Sequence, residues 1–101
     1  MTYALEQPNA GSYLTWGVGF ADHSAFAIYS FDWSTDYCSF PPDSNYGPPG
    51  LDCHIPCARH DFGYRNFRVE GVFSQYEGMV DGTFYWDMAY VYWAAVSVFG
   101  G

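Results

Sequence analysis

The 101-residue chain carries eleven acidic residues against three arginines and no lysine, for a net charge of −8. That length holds one small core, so a single domain over 1–101 is expected. All three arginines fall between Arg59 and Arg68, which leaves no distributed cations to neutralise phosphates and excludes both a nucleic-acid partner and a polybasic anchor to anionic lipid.

The longest uncharged stretches, 7–21 and 88–101, are too short and too rich in Gly, Tyr or Trp for a membrane span, so no transmembrane segment is expected. Met1 is followed by neither a basic stretch nor a continuous apolar run, so no signal peptide is read in this chain. Aromatic residues make up 23% of the sequence, more than so short a chain can bury with its polar tips satisfied, and exposed aromatic side chains follow. Cysteines at 38, 53 and 57 allow one disulfide and one further thiol, a number that leaves the compartment open.

Residues 1–30 show no clean period, although Tyr13–Trp16 and Ala25–Tyr29 suit short helical turns. Residues 32–52 hold the run Pro41-Pro-Asp-Ser-Asn-Tyr-Gly-Pro-Pro-Gly50, whose Pro and Gly density no regular element tolerates. From Pro56, which suits a first helical turn, Cys57, His60, Asp61, Tyr64 and Phe67 recur at spacings of three or four and predict a helix over about 55–68. Gly71 to Gly78 breaks the pattern. Asp81, Phe84, Met88, Val91 and Ala95 then predict a second helix over about 79–98.

His60 and Asp61 are neighbours and diverge by about 100° on a helix, so they serve different partners. Asp81, on the second helix, can face His60 across an antiparallel pair and hold the imidazole as a carboxylate holds the base in hydrolases. Asp61 and Asp36 then supply two carboxylates which, with loop carbonyls and water, suit Ca²⁺. His60 would deprotonate a water, the ion would polarise an ester carbonyl, and Asp81 would stabilise the imidazolium.

Plainer readings stand beside these. His60 can be a structural or surface residue, Asp36 a turn residue, Asp81 a helix cap and Asp87 part of a solvated face. Cys53 is a weak rival nucleophile because no neighbour supplies its base. Cys53, His54, Cys57 and His60 offer Zn²⁺ ligand types, but compressed into eight residues.

The segment Pro56-Cys-Ala-Arg-His-Asp-Phe-Gly-Tyr-Arg-Asn66 resembles the active-site helix of prokaryotic and fungal secreted phospholipases A2. Asp32-Trp-Ser-Thr-Asp-Tyr-Cys38 is similar to that family's calcium loop, Asp43 and Gly47 fit the segment after it, and Asp81-Gly-Thr-Phe-Tyr-Trp-Asp87 is similar to the start of its third long helix. Tyr90 to Gly100 resembles its closing segment, so the likeness covers about 31–100 and leaves 1–30 outside it. The longer excursion with a second cysteine pair that the family carries after Met88 is missing here, which implies that two helices have become one.

The resemblance implies an all-α fold: a small helical phospholipase-like domain with two antiparallel active-site helices and a disulfide-tied calcium loop. His60 matches the general base and Asp81 the carboxylate orienting it. Asp36, the backbone carbonyl of Tyr37 and Asp61 match the calcium ligands, and Cys38 and Cys57 match the disulfide. The implied activity is calcium-dependent hydrolysis of the sn-2 acyl ester of glycerophospholipids by a secreted monomer at a phospholipid micelle or membrane surface. The alternatives are an inactive secreted calcium- or lipid-binding relative and a small secreted structural or effector protein.

Overall fold

The computed structural model describes residues 1–37 and 53–99, and these are helical throughout apart from turns and one extended strap. In chain order come α1 (Thr2–Leu5), α2 (Ala10–Ala21), a 3-10 helix (His23–Tyr29) kinked at Phe26, α3 (His54–Val69) and α4 (Phe73–Phe99). Helix α2 begins where the Asn9 side chain accepts the Ser12 N–H at 2.8 Å, the bond that satisfies an otherwise orphaned first-turn donor. Both short turns expected near the N-terminus are therefore present, the first as part of a twelve-residue helix.

Helix α3 matches its expected bounds within one residue at each end. It closes when Gly71 takes φ +80°, with Gly71 N–H donating to Arg68 O at 3.0 Å and Val72 N–H to Phe67 O at 3.0 Å. Those paired bonds absorb the last carbonyls of the helix and reverse the chain within three residues. Helix α4 consequently starts at Phe73, six residues earlier than the sequence pattern predicts, and continues without a break to Phe99. Gly78 and Gly82 sit on its exposed side with nothing near their missing side chains, so they cost propensity but no packing.

Contacts between α3 and α4 run in opposite chain directions: Arg59 meets Asp87, His60 meets Asp81, and Phe67 stacks on Tyr76. The two long helices are thus antiparallel, as expected. Leu5, Trp16, Ala58 and Phe62 form the buried centre, wrapped by Phe20, Phe26, Phe31, Trp33 and Ile55. Helix α2 comes close at Gly19, where a Cβ would lie 2.5 Å from the Phe26 ring and 2.7 Å from Trp33. A second cluster joins Cys53 and Cys57 to Phe84, Met88 and Val91 of α4. Exposed aromatics are present as composition requires, among them Tyr85, Tyr92 and Trp93. Among the described residues no helix is long and apolar enough to cross a membrane.

Arg59 is fully buried between these elements. Its Nη1 donates to Asp87 Oδ1 at 2.6 Å, and its Nη2 donates to the carbonyls of Leu5 and Gln7 and to Ser12 Oγ at 3.0, 2.6 and 2.8 Å. Asp87 is therefore an interior ion-pair partner and not part of a solvated face.

The expected fold needs one correction. The described residues contain no complete disulfide and no assembled calcium loop. Cys38 lies outside them, with Asp43 and Gly47, so of the expected tie only the Cys57 end, in disulfide form, is on the described chain. The described part of the loop, residues 31–37, is held instead by hydrogen bonds to α3, because Asn66 and Asp61 meet its backbone polar groups directly.

Replacing Arg59 by Met would leave Asp87 buried without its cation and three acceptors without their donor. Urea denaturation is expected to show a loss of about 3–5 kcal/mol, the usual cost of breaking a buried ion pair from one side.

Candidate active site

The site grows from two faces of α3. On one face His60 and Tyr64, a turn apart, both reach Asp81 of α4: His60 Nε2 lies 2.9 Å from Asp81 Oδ1, and the Tyr64 hydroxyl donates to the same oxygen at 2.7 Å. An imidazole that donates from Nε2 keeps its lone pair on Nδ1, the protonation pattern a base requires. The His60 ring packs against Tyr64 at 4.3 Å and Phe84 at 5.0 Å, which fixes its orientation from both helices. Asp81 is the ninth residue of α4 and so is no helix cap.

Partial burial opposes ionisation of Asp81, but the hydrogen bonds from His60 and Tyr64 outweigh it and hold the carboxyl below its ordinary range. Burial, then the bond to Asp81, pushes the Tyr64 hydroxyl up to about 12. Tyr64 thus remains a donor across the neutral range.

On the adjacent face, Asp61, Arg65 and Asn66 hold the strap 31–37. Asn66 exchanges bonds with the backbone of Asp32, N–H to Oδ1 and Nδ2 to the carbonyl, each 2.9 Å. Asp61 Oδ2 accepts from the Thr35 hydroxyl at 2.5 Å and from the Asp36 N–H at 3.1 Å. Arg65 donates to Ser34 Oγ at 2.6 Å and pairs with Asp36 Oδ2 at 3.3 Å. Tyr37 follows in a left-handed conformation, φ 55°, its N–H donating to Thr35 Oγ1 at 2.9 Å.

His60 and Asp81 are therefore brought together as the sequence predicts, and Asp36, Tyr37 and Asp61 share the neighbouring strap. Their donors are all oxygen, which fits a hard cation such as calcium in chemistry. In the described arrangement one oxygen of each carboxylate is engaged, Asp36 Oδ2 by Arg65 and Asp61 Oδ2 by Thr35 and the Asp36 N–H. Among the described residues no group of three or more His, Cys, Asp or Glu side chains gathers to hold a metal. That also removes Zn²⁺ from Cys53, His54, Cys57 and His60, since His60 is turned to Asp81.

Tyr64, Arg65 and Asn66 join the candidate site without having been given a role from the sequence. Tyr64 follows His60 by four, the spacing that puts it on the His60 face. Arg65 and Asn66 stand at the end of the motif that carries the resemblance, but their strap partners are about thirty residues away in sequence.

A helical protein that sets a histidine against a tyrosine-braced carboxylate between antiparallel helices has the parts of a water-activating hydrolase. Residues 18–100 match the family described as prokaryotic phospholipase A2, and the chain belongs to that family. It is similar to a secretory phospholipase A2 of Beauveria bassiana, 34% identical over 89 residues that cover 71% of this chain and 45% of the relative. It is also similar to a secretory phospholipase A2 of Arthroderma benhamiae, 43% identical over 58 residues that cover 56% of this chain and 37% of the relative. The chain spans less than half the length of these two relatives.

Tyr64→Phe deletes one donor to Asp81. Ultraviolet titration of the folded protein is expected to lose the phenol that ionises near 12, and the Asp81 carboxyl should rise toward its ordinary range in a carboxyl NMR titration.

Proposed function

We propose that the chain hydrolyses the sn-2 acyl ester of glycerophospholipids in the presence of calcium, releasing a fatty acid and a lysophospholipid. The observation that carries this reading is the 2.9 Å bond between His60 and Asp81, braced by Tyr64. His60 would take the proton from an attacking water and Asp81 would stabilise the resulting imidazolium, with no covalent intermediate on the protein. Tyr64 keeps Asp81 turned toward the imidazole. Asp36, Asp61 and the carbonyl of Tyr37 would hold calcium, which supplies positive charge for the developing oxyanion.

Family membership and the likeness to secretory enzymes support a secreted protein at a micelle or membrane surface; it would act there as one domain and a monomer. A second reading is a relative that binds calcium or phospholipid without turnover. It is favoured by a specific observation: one oxygen of each candidate metal carboxylate is already engaged, by Arg65 and Thr35.

Product analysis of mixed phospholipid micelles, with calcium and with chelator, separates the two. Calcium-dependent appearance of the sn-2 fatty acid with its lysophospholipid is expected, and His60→Asn should reduce the rate by at least about 10²-fold while the helical circular dichroism is kept. Unchanged hydrolysis in H60N excludes this base. Folded protein that binds calcium or micelles but releases no product establishes the second reading, and a folded protein that does neither leaves the structural or effector alternative.

Calorimetry tests the ligand assignment apart from activity. Asp61→Asn and Asp36→Asn should each weaken calcium binding, since each removes a charged oxygen. Wild-type affinity in both variants excludes these ligands.

A further inference from the structure

Away from the catalytic face, the fold buries two acids around one cation. Glu6, just beyond α1, is fully buried, and neither of its carboxylate oxygens has a hydrogen-bond partner among the described residues. Its neighbouring cation is Arg59, whose Nε lies 3.9 Å from Oε2, outside hydrogen-bond reach. Arg59 is already committed to Asp87, to Ser12 and to the carbonyls of Leu5 and Gln7 on either side of Glu6. Asp87 has an oxygen in the same condition as those of Glu6: its Oδ2 is buried and unpartnered among the described residues.

The carboxyl also occupies a position that depends on glycine. At Gly63 of α3 a Cβ would come within 2.5 Å of Glu6 Oε1 and 2.8 Å of Cδ. From α4 the Thr83 hydroxyl donates to the Glu6 carbonyl at 2.7 Å. The charged groups facing Glu6 are thus Arg59 from α3 and Asp87 from α4, while α2 supplies only Ser12 and the Tyr13 ring, both against Arg59. At the far end of the same segment the Thr2 hydroxyl donates to Glu70.

We infer that Glu6 is a pH-operated fastener: neutral, it seats the N-terminal segment 1–9 on the α3–α4 pair, and on ionising it releases that segment. A carboxylate there would be a second buried anion beside Asp87, with no hydrogen bond from the guanidinium that already serves Asp87, Ser12 and two carbonyls, and it would gain hydration only by leaving. Burial, opposed by Arg59 and aided by Asp87, raises the Glu6 carboxyl well above its ordinary range. Burial raises Asp87 to about 7, against the pull of Arg59.

A carboxyl whose folded value lies above its unfolded one binds its proton more tightly in the folded state. Its stabilisation is complete below the unfolded value and is lost as pH rises through the folded one. The segment therefore loosens with rising pH, the reverse of ordinary acid denaturation, and nothing in this depends on whether the protein hydrolyses lipid.

Hydrogen exchange measured by mass spectrometry on the full chain, corrected for the intrinsic pH dependence of exchange, reads the fastener directly. Protection of amides in 2–12 is expected to fall by at least about tenfold between about pH 5 and about pH 9, while the centre of α3 holds. Glu6→Gln keeps the shape without the charge and should flatten that profile. An unchanged profile in E6Q, or a flat one in the wild type, overturns the inference. Should E6Q not fold, ¹³C-glutamate labelling of the wild type decides, because the chain has three glutamates, Glu6, Glu70 and Glu77. A Glu6 resonance that titrates well above the ordinary carboxylate range, together with the loss of protection, supports the fastener; titration within that range overturns it.

Discussion

Much of the described structure depends on where Arg59 points. With its guanidinium bonded inward to Asp87, Leu5, Gln7 and Ser12, the rotation of α3 about its axis is set. His60 and Asp61 follow by one and two steps of about 100°, so His60 is delivered to Asp81 of α4 and Asp61 to the strap that carries Asp36. Arg59–Asp87 and His60–Asp81 also cross the α3–α4 contact at two levels. A slide of α4 by one residue would break both bonds, so the buried ion pair helps keep the part-buried His60–Asp81 bond in register.

This arrangement explains how an acidic chain with three arginines can still place cations where they act. One is spent inside the core, and Arg65 lies on the strap against Asp36. Arg68 stacks over the Phe73 ring at 4.4 Å, beside the reversal that Gly71 makes. The three lie on one helix because that helix touches every other described element of the site. Their clustering in sequence reflects packing.

Helix α3 was legible because Pro56, the three-and-four spacing and the stop near Gly71 agree with one another. The start of α4 was not, since Gly71 and Gly78 look alike in sequence. Gly71 needs its left-handed φ to reverse the chain, whereas Gly78 is an ordinary helix position facing outward. Helix α2 was obscured by Gly11, Gly17 and Gly19, although Asn9 already stood at its cap. Asp87 looked like a surface residue because its partner is 28 positions away, and helical spacing within α4 carries no information about α3. The pairing of His60 with Asp81 was readable only because both stand on long helices that must pack antiparallel; Arg65 and Asn66 act on an extended strap with no period to read.

The two halves of the candidate site differ in what holds them. His60, Tyr64 and Asp81 sit on rigid helices, and their bonds exist without any further component. Asp36 and Tyr37 sit on an extended strap tied by side chains of α3, where Arg65 and Thr35 each bond to one oxygen of a candidate carboxylate. Orientation of His60 is therefore a property of the fold, while the strap carboxylates are shared with the protein's own donors. Under the proposed function, weakening the Arg65–Asp36 pair would free an Asp36 oxygen without moving His60, because the bonds of Arg65 go to the strap and those of His60 to α4.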